Sequence, residues 1–293
     1  MAAPALVLSE TSTDLFARQL VSAAMTAALR DPWTGAREPS PPVPIELLAD
    51  AWDILAAPHA GATRAALGLG ESPPIEADPA PLVRWFERTA EVRERVHALV
   101  FGLVISKDCP PYETEFYPSH EAASRAQHMA DAAGFYHAFG LELDARTPER
   151  PDHASLIIGF VSFLLHKRLL IESALARQAT DAEHEAIART AMAAFIKDHV
   201  AWWLPALGRC LELRAERVVA EVDSPQICSA LSDIAGVGRL LRAWVAAERI
   251  NAGVEPSCRI VGSSPTSPDH EGECGSSDCA GCAEGGDSTS NGR

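Results

Sequence analysis

Glu149-Arg150-Pro151-Asp152-His153-Ala154-Ser155-Leu156-Ile157-Ile158-Gly159-Phe160-Val161-Ser162-Phe163-Leu164-Leu165 is the stretch that decides the fold class. Proline fixes φ and brings no amide proton, so Pro151 suits the first turn of a helix. From Leu156 to Leu165 no charge appears, a run about half the roughly twenty residues that a membrane-spanning helix requires. It predicts a buried core helix with Leu156, Phe160, Phe163, Leu164 and Ile171 along its seam. Asp152-His153 then falls in the first turn, where the helix dipole stabilises a carboxylate. That pair reads either as a helix cap with a structural histidine or as a binding group.

Helical periodicity continues on both sides. Upstream, Thr13-Asp14 offers a cap for a helix carrying Leu15, Phe16, Leu20 and Val21, which Asp31-Pro32 stops. Pro39, Pro41, Pro42 and Pro44 predict an extended connection, followed by short helices near 45–55 and 60–67. A long amphipathic segment follows over 82–104, with Val83, Phe86, Val92, Val96, Leu99 and Val100 as its buried stripe. Ser119 can cap a helix through Phe139 that Gly140 closes. Downstream, Thr180 and Glu183 have capping-box spacing for a helix reaching Trp203-Leu204-Pro205. Ser224-Pro225 opens a last helix toward Asn251. With only 6% aromatic residues and no run of alternating β-branched residues, the expectation is a single all-α multi-helix domain over 1–252. From Gly253 the sequence turns to Ser, Gly, Pro, Asp and Cys with almost no large apolar residue, which predicts a disordered tail over 253–293.

Composition narrows the function. Hydrophobic residues make up 47% of the chain, ample material for a core. The formal net charge of −15 speaks against nucleic acid, whose phosphates need clustered Lys and Arg, and favours a basic partner. Met1-Ala2-Ala3-Pro4 lacks the basic start of a secretory signal and the sequence soon reaches Glu10. A cytoplasmic protein without membrane insertion is expected. Seven cysteines, four of them scattered, fit reduced thiols better than a disulfide framework.

Three loci carry candidate chemistry. Pro110-Pro111 stiffens a loop that presents Tyr112 and Phe116, aromatics that would anchor a peptide or plug the loop onto the core. Glu113, Glu115, Glu149 and Asp152 together could receive arginine, whose planar fork pairs with carboxylates. Asp198-His199 with Trp202-Trp203 sets another acid and imidazole beside two indoles, one expected in the core and one lining a groove. Glu94 and His97 have the spacing of carboxylate-bridged di-iron helices, but no second copy exists, and they read as a solvated face. Cys274, Cys279 and Cys282, near His270, could hold zinc or an iron-sulfur centre, or form an oxidisable tail. No Walker loop, nucleophile elbow, zinc-protease helix or dinucleotide fingerprint is present, so an enzyme is not expected. The competing reading is a metal-binding or redox-sensing helical protein acting through the cysteine cluster.

Arg95-Val96-His97-Ala98-Leu99, Pro110-Pro111-Tyr112-Glu113, Glu149-Arg150-Pro151-Asp152-His153 and Phe195-Ile196-Lys197-Asp198-His199 running into Trp203-Leu204-Pro205 together resemble the TorD/DmsD/NarJ family of molybdoenzyme maturation chaperones. The resemblance implies an all-α, non-enzymatic protein, monomeric or homodimeric. Its implied partner is the apo catalytic subunit of a molybdoenzyme, bound by its N-terminal, twin-arginine-type leader and held until cofactor insertion. Leu99, Pro111, Tyr112, Phe116, Asp152 and His153 match places where the family contacts its leader, and Glu113, Glu149, His199 and Trp203 join them as peptide-binding candidates. The chain departs from the family pattern at Val100, at Tyr112 where relatives often carry tryptophan, and at the apolar 156–160, where glutamates are usual. Whether a nucleotide or the molybdenum cofactor itself binds is left open by the resemblance.

Overall fold

The computed structural model describes residues 10–32, 44–62, 64–102, 108–117, 121–144, 149–173 and 179–258. Among these there is no strand, and the helices are α1 (Glu10–Leu29), α2 (Leu48–Ala56), α3 (Ala80–Glu87), α4 (Ala90–Phe101), α5 (Ala122–Ala138), α6 (Ala154–Ser173), α7 (Ala179–Phe195), α8 (Leu204–Val219) and α9 (Pro225–Ala252). The protein is all-α, as the apolar periodicity predicts.

Helix α9 is the axis of the body. Ser224 caps it by accepting from the Ile227 amide, and Gly253 ends it at φ 65°, a left-handed position where glycine has no Cβ penalty. Trp244, Val245, Ala246 and Ala247 are wholly buried along it. Helix α8 packs on α9 where two glycines meet: a Cβ at Gly208 would stand 2.5 Å from the Gly238 carbonyl oxygen. Only a residue without a side chain allows backbones that close. Helix α1 is tied to α9 by Arg18, whose Nη2 and Nε donate to Glu248 at 2.6 and 3.1 Å with both side chains buried. Trp244 Nε1 donates to Ser22 Oγ at 3.2 Å in the same seam.

Helix α6 lies against α1, with Ile157, Ile158, Val161, Leu164 and Leu165 fully buried. By length and composition alone α6 would suffice to cross a membrane, and half of that window is covered by the rest of the chain. It is longer than its charge-free run suggested.

Local boundaries differ from the sequence reading in physically instructive ways. Within the segment expected over 82–104, the described residues form two helices, because Arg88 turns extended and Thr89 caps α4 by accepting from the Val92 amide. The first of these helices is anchored to α9: Arg84 and Arg88 both donate to Asp233, at 2.8 and 2.9 Å. His97 is buried, not solvated. Pro151 and Asp152 precede α6, which begins at Ala154, so neither sits in its first turn. Helix α7 ends at Phe195 and passes into a wide, π-helical turn over Ile196–Val200. Trp202 and Trp203 are both buried, leaving no groove-lining indole. Beyond α9 the backbone returns to the wide turn, where the Ser257 amide donates to the Lys197 carbonyl at 3.1 Å. Ser119, the side chain of Thr180, and the tail with His270, Cys274, Cys279 and Cys282 lie outside the described residues.

Candidate functional site

The double proline at 110–111 holds the chain extended, and in that form it zips onto the segment before α6. The Glu113 amide donates to the Asp152 carbonyl at 2.9 Å, and the Ala154 amide to the Pro111 carbonyl at 2.8 Å. Tyr112 and His153 face each other across this short antiparallel bridge. The loop then makes one tight turn over Glu113–Glu115, and Asp152 caps that turn: its Oδ2 accepts from the Thr114 amide at 3.1 Å and from Thr114 Oγ1 at 2.8 Å. Aspartate therefore caps here, but not the helix that sequence spacing assigned to it. His153 takes that role, its Nδ1 accepting the Ser155 amide at 3.2 Å. Burial pushes the imidazole down to about 4 against the opposing pull of Asp152, so it is neutral with its proton on Nε2, facing Glu149 at 4.0 Å.

Arg150 organises the surface of this locus. Its Nε and Nη2 donate to Asp152 Oδ1 and Oδ2 at 3.0 and 2.8 Å, and Nη2 also reaches Thr114 Oγ1 at 2.6 Å. Its Nη1 lies 3.5 Å from Glu115. The guanidinium stacks over the Tyr112 ring, 4.2 Å from the centroid, a favourable cation–π geometry. Tyr112 donates to Glu149 Oε1 at 3.2 Å. Burial and that carboxylate push its hydroxyl up to about 12.

A second cluster shares the same loop. Glu113 is wholly buried. Its Oε1 accepts from Trp202 Nε1 at 2.9 Å and lies 2.8 Å from His128 Nε2 of α5. Its Oε2 lies 3.1 Å from His199 Nδ1. The wide turn makes this possible, because the Ala201 amide bonds back to the Ile196 carbonyl and the extra residue swings His199 toward the loop. Burial works against a proton on His128, yet Glu113 outweighs it and raises the pKa. Tyr117 stacks on His128 with centroids 5.0 Å apart, and Phe116 packs on Trp203 at 5.4 Å. A cleft of about 730 Å³ opens beside these rings, lined by Tyr117, His128, Asp131, Phe135, Asp198 and His199.

The structure thus gathers Pro111, Tyr112, Glu113, Phe116, Glu149, Asp152, His153, His199 and Trp203 around one loop. Leu99 stands apart on α4, half-buried, with its carbonyl accepting from Arg214. The four carboxylates expected to receive arginine are not equivalent. Glu113 and Asp152 are sequestered, whereas Glu115 and Glu149 keep 24% and 20% of their side chains exposed. Pro111, His153, His199 and Trp203 are interior as well, so they shape the locus from beneath. Sequence reasoning missed Arg150 as a working residue, although it stands between two acids in a quoted motif. It also missed His128, and it named Trp202 without its glutamate partner. Nothing in the sequence around His128 links it to a glutamate on another segment.

Compared with known proteins, the chain matches the family model described as nitrate reductase delta subunit over residues 72–208, just under half of its length. That span contains every residue of both clusters. Neither the curated proteins nor the solved structures compared with the chain gave a match.

Proposed function

We propose, from the premise that residues 72–208 of this chain belong to the nitrate reductase delta subunit family of NarJ/TorD-type molybdoenzyme maturation chaperones, that the protein is a cytoplasmic, system-specific chaperone. In this reading it binds the N-terminal, twin-arginine-type leader or the apo form of a molybdenum-cofactor oxidoreductase. It holds that client for cofactor insertion before assembly or export. The family is one of chaperones rather than catalysts, and the chemistry of the locus is that of recognition.

One observation carries the reading. Around Tyr112, a guanidinium lies on an aromatic face with carboxylates on its edge, which is the arrangement a leader arginine would need. Arg150 fills one such place, and the part-exposed Glu115, Glu149 and Tyr112 offer the same chemistry at its rim. The half-buried Phe116 and Tyr117 add an apolar contact for the hydrophobic part of a leader.

The test is calorimetric titration of the full chain with a synthetic leader peptide bearing paired arginines. Tyr112→Ala is expected to weaken binding by about 1 to 3 kcal/mol, as for removal of an aromatic anchor at an interface. Replacing both peptide arginines by alanine should abolish measurable heat. A leader that binds equally well to the Tyr112→Ala protein would overturn this placement of the site. Failure to recover a molybdenum-dependent subunit on the tagged chain from its own cells would overturn the chaperone reading itself.

A further inference from the structure

Glu113, His128 and His199 arrive from a loop, a helix and a π-helical turn, yet their carboxylate oxygen and ring nitrogens all lie within 4.8 Å of one another. Three nitrogen and oxygen ligands at about 2.0–2.2 Å from a tetrahedral ion stand roughly 3.4 Å apart. The observed separations of 2.8 Å for His128 and 3.1 Å for His199 from Glu113 are within a small adjustment of that figure. The contact of His128 is close without being a hydrogen bond of acceptable geometry, and its Nε2 is buried with no such partner. A ring nitrogen held there is placed for a ligand other than the carboxylate alone.

We infer that Glu113, His128 and His199 form a binding site for a divalent cation of the zinc class, with its open coordination position facing the cleft beside α5. Two imidazoles and one carboxylate are a recurrent three-ligand set for zinc with a free fourth position. Supporting contacts are already in place: Trp202 Nε1 orients Glu113 through Oε1, and such outer partners fix ligand geometry. The cleft is lined by His128 and His199 together with Asp131 and Asp198, so carboxylates flank the two imidazoles on that side. Because Glu113 opens the turn that Asp152 caps, the cation would clamp the loop onto α5 and the wide turn. Cys258 lines the same cleft, and the inference does not depend on the chaperone reading.

The experiment uses the full chain with Cys258, Cys274, Cys279 and Cys282 replaced by serine, stripped of metal and titrated with Co²⁺. Tetrahedral ligand-field bands are expected in the visible, saturating at equimolar cobalt, with no thiolate charge-transfer band in the near ultraviolet. Thermal unfolding should shift upward with the cation present, because a ligand that binds only the folded state stabilises it. His128→Ala is expected to weaken cobalt binding by about 100-fold or more, in line with loss of a direct ligand, and to remove the thermal shift. His128 lies at the rim with 15% of its side chain exposed, so its replacement leaves the core in place, and circular dichroism checks this. Bands that fail to form in the parent protein, or that persist unchanged in His128→Ala, would overturn the site.

Discussion

At the residue scale, Asp152 holds the loop over 110–116 to the segment before α6. The carboxylate is fully buried and satisfied by Thr114 and Arg150, so removing it strands a guanidinium and an amide together. Asp152→Ala is expected to destabilise the protein by about 2 to 4 kcal/mol in urea unfolding, in the range for breaking a buried charged network. Arg150→Ala, which removes the more exposed partner, should cost less. The imidazoles of His97 and His153 are both held down to about 4, chiefly by burial, against the pull of Asp31 and Asp152 respectively. An unfolded histidine titrates near pH 6.5, so between these values the unfolded chain binds more protons than the folded one. The contribution of these two rings to stability should therefore be complete above about pH 6.5 and fall toward about pH 4, by at most roughly 1.4 kcal/mol per pH unit for each ring. Urea midpoints across that range check it; His153→Gln should flatten part of the slope.

At the scale of elements, the α8–α9 crossing depends on two missing side chains. Gly208→Ala would drive a methyl into the Gly238 carbonyl, and separating packed helices typically costs about 1 to 3 kcal/mol; thermal unfolding should register the loss. Most of the helices were legible because apolar residues recur at helical spacing, as in Leu15, Leu20 and Val21 or Ile157, Val161 and Leu164. The break at Arg88-Thr89 was hidden because the buried stripe continues across it, from Phe86 to Val92, while only the backbone changes direction. The wide turn after Phe195 left no mark either, since an extra residue alters spacing by less than periodicity can resolve. The site was half legible. Pro111, Tyr112 and Asp152 are neighbours in motifs, but the interior position of Glu113 depends on His128 and Trp202, which no local pattern connects to it.

For the molecule as a whole, a net charge of −15 should act on encounter more than on residence. If a basic leader is the partner, its association rate should fall steeply as salt is raised while dissociation changes little; stopped-flow mixing at several ionic strengths separates the two. The buried Arg18–Glu248 pair joins α1 to α9, so Glu248→Ala is expected to cost about 3 to 5 kcal/mol, a loss that global unfolding would report. The turn at Ile196–Val200 has a different kind of leverage. Its Ala201 amide reaches back five residues to Ile196, and excising the exposed Lys197 would restore the ordinary reach of four. Such a shortened chain should carry its imidazole out of line with the wholly buried Glu113 and melt below the parent for want of that partner. A single superfluous amino acid is then what the histidine and its carboxylate partner require in order to meet.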